Sequence, residues 1–305
     1  MNDDFSIVKN SDLANYAPTG SGNDADRYDP VALMFKERVI QVTGQVNSEM
    51  TYHIIAQLKK LEYMDENKPI VLFINSPGGS VIDGLAILDI MRQIQCPIIT
   101  VGVGMQASMG SILFAGGDER IMMPHAEVLV HQIMGGAQSG TQHSDFEISA
   151  QHMARLHETL KSIYVEFTGL NHAFWDIVGE RDTALDAEQA IKLGLAHRTS
   201  EAKKAGGFYA VDAVRKVEDG LQAAMNKAAM AHIQKMSVDE IIKKINNGNA
   251  EGGVYSRYRA QMLMRLSEFP QFWTETKKLE MQNKVTSNDN ADKKNSDLNK
   301  HALTK

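Results

Sequence analysis

The sequence predicts an α/β fold built on a mostly parallel sheet, followed by an α-helical extension. Two observations point to the sheet: short apolar runs alternate with amphipathic helical stretches, and the runs are continuous rather than alternating. Ile70-Val-Leu-Phe-Ile74 is one such run and Pro97-Ile-Ile-Thr-Val-Gly-Val103 another, as in strands covered on both faces. A third observation predicts the extension. After about residue 200 the composition moves to Ala, Lys, Met and Gln, and no strand pattern returns.

Residues 1–27 are rich in Asn, Asp, Ser and Gly without an apolar period, which predicts a flexible arm. Arg38 to Gly44 reads as a strand, and Ser48 to Tyr63 as a helix with Met50, Ile54, Ile55, Leu58 and Leu61 on one face. The run Ile70–Ile74 leads through Asn75-Ser-Pro-Gly-Gly79 into a helical stretch from Ile82 to Ile94. Pro97–Val103 turns through Gly104-Met-Gln-Ala-Ser-Met-Gly110 into a small-residue helix, Ser111 to Ala115. This succession of β and α elements is the signature of parallel strands joined by helical crossovers.

Glu127-Val-Leu-Val-His131 is a further strand, followed by a Gly-rich stretch from Gly135 to Ser144 and a helix from Asp145 to about Phe167. That helix exceeds a simple crossover. Its apolar positions Ile148, Met153, Leu156, Leu160, Ile163 and Val165 leave a face for another chain. Asp186 caps a short closing helix that ends near Gly194. The chain then divides into a main domain over 28–199, a helical extension over 200–281 and a disordered tail over 282–305. Helical periods in the extension run over Tyr209–Met236, Val238–Ile245 with Ser237 as N-cap, and Tyr258 to about Met281.

A chain of 305 residues with 43% hydrophobic and 23% charged residues can bury a full core, which excludes disorder throughout. Acidic residues outnumber basic ones 38 to 32, so no positive field is available to draw in nucleic acid. Cys96 stands alone, which removes intrachain disulfides and thiol-rich metal sites and fits a reducing compartment. The start is acidic where a secretory signal is basic, and nowhere do about 18 apolar residues run together. The expectation is a cytoplasmic protein without a membrane partner. No cofactor or metal is implied: His152 and His157 lie five apart, a poor spacing for one helix face, and His125 and His143 add no ligand pattern.

Three strand ends carry useful chemistry, at the edge where an open α/β sheet presents its ligand crevice. Ser108 lies between a strand and a helix among small residues, where free amides favour a developing negative charge. Its local sequence equally suits a plain N-cap. Asn75-Ser-Pro-Gly-Gly79 lets backbone amides approach a ligand without Cβ obstruction, although Pro-Gly-Gly is also an ordinary turn. His131 ends its strand and reads either as a structural histidine or as a general base. Asp182, in Glu180-Arg-Asp, is one of many available carboxylates, and spacing does not select it.

The motifs Phe35-Lys-Glu-Arg-Val-Ile-Gln-Val-Thr-Gly-Gln-Val46, Ile74-Asn-Ser-Pro-Gly-Gly-Ser-Val-Ile-Asp-Gly-Leu-Ala86, Gln106-Ala-Ser-Met-Gly110, Val130-His-Gln132 with Gly135-Gly-Ala-Gln138, and Glu180-Arg-Asp182 occur in one order along residues 28–198. Together with Ala187 to Gly194 they make the chain resemble the ClpP family, the proteolytic subunits of ATP-dependent Clp proteases. The resemblance implies a ClpP/crotonase-like spiral of β-β-α units with a long handle helix. It implies a serine endopeptidase with Ser108 as nucleophile, His131 as base, Asp182 as orienting acid and the backbone N–H groups of Gly79 and Met109 as oxyanion donors. It also implies homo-oligomers of heptameric rings, stacked as a 14-mer, that take peptides and unfolded proteins from an AAA+ unfoldase. In it the 145–167 helix and its preceding Gly-rich strand form the inter-ring handle, and Arg181 couples ring contacts to triad alignment, although Arg181 equally reads as a plain surface ion pair.

The chain departs from that pattern in three places. Gln106 lies one position nearer the serine, Ile133 replaces a proline, and Gly135 to Ser144 is about two residues long for the family. The helical extension motivates a second reading, a phage-encoded prohead maturation protease or scaffold. A crotonase-type acyl-CoA enzyme, which shares the spiral fold, is a third. The extension carries no nucleophile or base in a strand-end loop, so it is expected to be dispensable for hydrolysis of a short peptide.

Overall fold

The structure is a computed structural model and describes residues 30–136, 140–200, 233–247 and 257–280. The expected arm over 1–27, most of the helix over 209–236 and the tail over 282–305 lie outside the described residues. Contacts divide the described residues into two units that do not follow chain order: one comprises 30–130 and 184–200, the other 131–183 and the described residues from 233 onward.

In the first unit, α1 (Pro30–Lys36) precedes β1 (Val39–Thr43), α2 (Ser48–Met64), β2 (Ile70–Ser76), α3 (Val81–Gln93) and β3 (Ile98–Ala107). There follow α4 (Met109–Ala115), β4 (Glu119–Met122), β5 (Glu127–Val130), α7 (Ala187–Lys192) and β7 (Arg198–Thr199). A seven-stranded sheet takes the order β1-β2-β3-β4-β7, with β5 also on β3 and β6 (Thr183–Leu185) on β5. β1, β2, β3, β4 and β5 pair in parallel, as the continuous apolar runs require. Ile40, Leu72, Ile74 and Ile98 are fully buried in the sheet, and every residue of α4 is buried.

The register of β3 positions the site. Ile70 to Ile74 of β2 face Ile98 to Gly102, but Ser76 meets Gln106, so β3 carries two extra residues at this point. Gln106 fills the bulge, its buried Nε2 donating to the carbonyls of Ile74 (2.8 Å) and Val103 (3.0 Å). Before the bulge β3 pairs with β4, and after it Met105 to Ala107 pair with Glu127 to Leu129 of β5. The turn expected over Gly104–Gly110 is therefore largely strand, extended to Ala107 by pairing that periodicity does not reveal. Strands β4, β6 and β7, each of two to four residues, were likewise too short to show a period.

Arg38 is not the first strand residue. Its backbone is left-handed (φ +62°) and its guanidinium donates to the carbonyls of Leu61, Asp65, Lys68 and Pro69, each at 3.0 Å, and to Cys96 Sγ at 3.3 Å. One side chain thus satisfies the carbonyl end of α2 and the loop into β2.

In the second unit, α5 (His143–Thr168) ends at Gly169 and is followed by α6 (His172–Gly179), which Asn171 caps by accepting from Phe174 N. The Gly-rich strand expected before α5 is absent among the described residues, which are irregular over 131–136 and 140–142. Residues 143–152 of α5 are exposed, including Phe146 and Ile148, and packing begins toward its C-terminal end at Lys161 and Ile163. Lys161 bridges Asp176 of α6 and Glu158. Burial lowers the lysine pKa, but the hydrogen bonds to Asp176 and Glu158 outweigh it and hold the ammonium above its ordinary value. A raised pKa stabilises the fold below the ordinary lysine range, and that contribution is lost only as the pH rises through the raised value.

The described part of the extension belongs to this second unit. Helix α8 (Val238–Asn247) starts at the expected cap, Ser237, whose Oγ accepts from Glu240 N while the Glu240 carboxylate accepts from Ser237 N. Helix α9 (Arg257–Leu266) ends earlier than the helix expected to about Met281, because Pro270 starts a separate 3-10 turn over Pro270–Phe272; helix resumes over 275–280. Phe272 packs edge-on to Phe174, which packs edge-on to Trp175, itself stacked on Tyr164 at 4.5 Å. Asn171 N donates to Phe272 O and Thr274 N to Gly169 O, straps between the turn joining α5 to α6 and the extension.

Because Arg38 combines a strained backbone with a cap, Arg38→Gly and Arg38→Ala separate the two. Both are expected to lower urea stability: Arg38→Ala by about 2 kcal/mol for the lost charged hydrogen bonds, since it keeps the parent's Cβ at positive φ, and Arg38→Gly by roughly 1 kcal/mol less, because it relieves that strain. Equal stability of Arg38→Ala and the parent protein would show that the cap contributes nothing.

Candidate active site

Ser108 follows β3 directly and adopts φ +53°, ψ −124°, one of two positive-φ non-glycine residues among those described. A serine in this region costs on the order of 1–3 kcal/mol and persists only where its surroundings over-determine it. Three contacts do so. Ser108 N donates to Leu129 O (2.9 Å), continuing the ladder to β5; Ser108 O accepts from Ser111 N (2.9 Å) and Ser111 Oγ (2.6 Å); and Gly78 packs against its side chain. The hydroxyl makes no capping bond to α4, so the N-cap reading of Ser108 does not describe its side chain. It is left half-buried and uncommitted.

Of the two glycines in the Pro-Gly-Gly loop, Gly78 packs directly on the serine, while the resemblance names the N–H of Gly79 as an oxyanion donor. A Cβ on Gly78 (φ +88°) would lie 2.5 Å from Ser108 Cβ, 2.7 Å from Ala107 O and 2.9 Å from Met109 N. Gly79 (φ +150°) instead lies against Val46, with 2.2 Å from its hypothetical Cβ to Val46 O. Val46 N donates to Gly78 O and Ser80 N to Val46 O, which anchors the loop on both sides of Gly79. Gly78 N is occupied by Ser76 Oγ (3.1 Å). The N–H groups of Gly79 and Met109 have no acceptor among the described residues, so both expected oxyanion donors are uncommitted.

In the second unit, His131 is half-buried directly after β5, and its Nδ1 lies 2.5 Å from Gln132 O. A carbonyl only accepts, so Nδ1 is the donor in this contact and Nε2 is the ring nitrogen not engaged by it. Gln132 N donates to Gly179 O at the end of α6 (2.8 Å). Asp182 is half-buried three residues after Gly179 and makes no hydrogen bond or ion pair among the described residues. Its neighbours Glu180 and Arg181 pair with each other at 3.1 Å on the surface. Among the described residues no group of three or more His, Cys, Asp or Glu side chains could hold a metal ion, and no helix is long and apolar enough to cross a membrane.

A strained serine at a strand end beside two uncommitted backbone amides suits acyl transfer through an oxyanion. The family model described as Clp protease matches residues 22–203, well over half of the chain. The chain belongs to the Clp protease family. It is 41% identical over 176 residues to the ATP-dependent Clp protease proteolytic subunit of Streptococcus sanguinis (strain SK36), covering 57% of this chain and 90% of that protein. It is 41% identical over 169 residues to the subunit of the same name from Streptococcus agalactiae serotype V, 55% of this chain and 86% of that one. The fold class and serine-endopeptidase chemistry expected from sequence follow from this membership, and neither the prohead nor the acyl-CoA reading gains support from these matches. Residues beyond 203, including α8 and α9, lie outside the matched region.

Gly78→Ala tests the packing around the serine. Its Cβ overlaps Ser108 and the backbone on either side, so something must shift, and misplacement of a nucleophile by about 1 Å costs on the order of 10²-fold in rate. Peptidase activity is expected to fall by about that factor while circular dichroism retains the sheet; full activity would show that Gly78 does not define the position of Ser108.

Proposed function

We propose that Ser108 is the nucleophile, His131 the general base and Asp182 the acid that orients it, with the N–H groups of Gly79 and Met109 receiving the oxyanion. The strained, uncapped Ser108 turn carries this reading. His131 takes the Ser108 proton as the hydroxyl attacks a peptide carbonyl, then returns it to the leaving amine; water repeats the cycle on the acyl-enzyme. Gly79 and Met109 are each worth about 3–4 kcal/mol in the transition state, the typical contribution of such a donor. In the single chain the Nδ1 proton goes to Gln132 O, so pairing with Asp182 requires the imidazole to turn from that carbonyl to the carboxylate. Catalytic hydrogen bonds often tighten only with substrate bound.

The proposal extends to assembly. The relatives are named as proteolytic subunits of an ATP-dependent protease, which supports a ring-forming peptidase that an AAA+ unfoldase supplies with unfolded protein. Exposed Met134, Phe146 and Ile148, on and just before α5, supply an apolar surface that a second copy would cover, consistent with stacked heptameric rings. A cytoplasmic location accords with the single, buried Cys96.

Hydrolysis of a dipeptide-linked fluorophore tests the residue roles. Ser108→Ala and His131→Ala are expected to lose nearly all turnover, and Asp182→Asn about 10⁴-fold in kcat with the fold intact. Normal kcat in Asp182→Asn would move the acid elsewhere. Sedimentation tests assembly: the expected result is a large oligomer at micromolar concentration, and a lone 33.8 kDa species would contradict it.

A further inference from the structure

The C-terminal extension sends one buried cation into the segment that carries Asp182. Arg259, on α9, is 7% exposed, and its guanidinium donates to backbone and hydroxyl groups of its own unit. Nη1 donates to Ile245 O near the end of α8 (2.7 Å). Nη2 donates to Ile177 O (2.8 Å) and Val178 O (3.3 Å) in the last turn of α6, and Nε to Thr183 Oγ1 (3.1 Å). The Thr183 hydroxyl in turn shares its proton between Val178 O and Arg181 O. The five-residue span from Val178 to Asp182 is thus gripped at its start through its carbonyls and just past its end through Thr183.

The next carbonyl along α6 reaches the other half of the machinery, since Gly179 O accepts from Gln132 N, the residue after His131. Three consecutive carbonyls at the end of α6 are therefore divided between Arg259, which takes 177 and 178, and the peptide that follows the base, which takes 179. A rotation of this last turn moves both the Gln132 peptide and the Glu180-Arg181-Asp182 turn. Such carbonyls lack intrahelical donors, and a cation there complements the helix end. Burial lowers the Arg259 pKa, with Arg181 adding to the effect and Glu180 opposing it, yet a guanidinium keeps its charge at neutral pH.

We propose that Arg259 is a positioning residue for peptide hydrolysis: from the extension it fixes the end of α6 and Thr183 and thereby sets Asp182 relative to His131. The inference rests on the assignment of Asp182 as the acid, and it makes the extension necessary for turnover, against the expectation that it is dispensable. It touches no substrate and no reacting atom, so its effect must pass through Asp182.

The test uses the full chain and the dipeptide-linked fluorophore, comparing Arg259→Gln, Arg259→Lys, Thr183→Val and Asp182→Asn alone and Arg259→Gln combined with Asp182→Asn. Arg259→Gln and Thr183→Val are expected to lower kcat at least tenfold with KM within about twofold, and Arg259→Lys to recover part of the loss by restoring the charge. In the Asp182→Asn background, Arg259→Gln is expected to change kcat by less than about twofold, because the group it positions is already disabled. Unchanged kcat in Thr183→Val and in folded Arg259→Gln, or losses that multiply with Asp182→Asn, would overturn the inference while leaving the acid assignment standing. If Arg259→Gln does not fold, Thr183→Val and its combination with Asp182→Asn decide the matter. Normal kcat in Asp182→Asn would overturn the acid assignment, and the inference with it.

Discussion

The structure of the first unit turns on the backbone of Ser108, held left-handed between a strand and a helix. Nothing in serine favours φ +53°, so the conformation is imposed. The bulge at Gln106 redirects the end of β3 from β4 to β5, the bond to Leu129 O fixes the serine amide, and Gly78 leaves only enough space for the serine side chain. Gln106 holds the bulge through its buried Nε2, while its Oε1 has no hydrogen-bond partner among the described residues. The same arrangement keeps the hydroxyl from capping α4, the use to which a serine at such a position is most often put. A group withheld from its local structural use is available for chemistry.

Much of the first unit was legible because continuous apolar runs and Pro-Gly-Gly have direct physical readings. The boundaries of α2, α3 and α7 lie within two residues of the expected ones, because caps at Asn47, Ser80 and Asp186 start them. What was not legible depends on distant partners. Arg38 sits in an apolar run yet acts as a cap for carbonyls 23 to 31 residues away. The division of labour between Gly78 and Gly79 follows from which neighbour each faces, Ser108 or Val46, and a Gly-Gly pair does not encode that. The serine, histidine and aspartate were selected by motif order rather than by spacing.

In the second unit, the extension, which lies beyond the region matched by the family model, is tied to α5 and α6 by packing and hydrogen bonds. Phe272 joins the aromatic cluster of Phe174, Trp175 and Tyr164, and Arg259 satisfies carbonyls at the ends of two helices. Periodicity marks Arg259 only as one more basic residue in a helix whose neighbours include Arg257 and Arg265. Its partner Thr183 lies 76 residues earlier, so no local pattern signals the contact. Helix α5 makes a mixed case: of the apolar face expected from sequence only Ile148 is exposed, Met153, Leu156, Leu160 and Val165 are half-buried and Ile163 is buried, while Phe146, which that face did not include, is exposed.

The proposed mechanism requires that one serine, Ser108, be both activated and faced by oxyanion donors. Mass spectrometry of the intact protein after reaction with a fluorophosphonate, followed by peptide mapping, tests it most directly. A single adduct per chain is expected, on Ser108, that disappears in Ser108→Ala. An adduct that persists in Ser108→Ala, or maps to another serine, would contradict it.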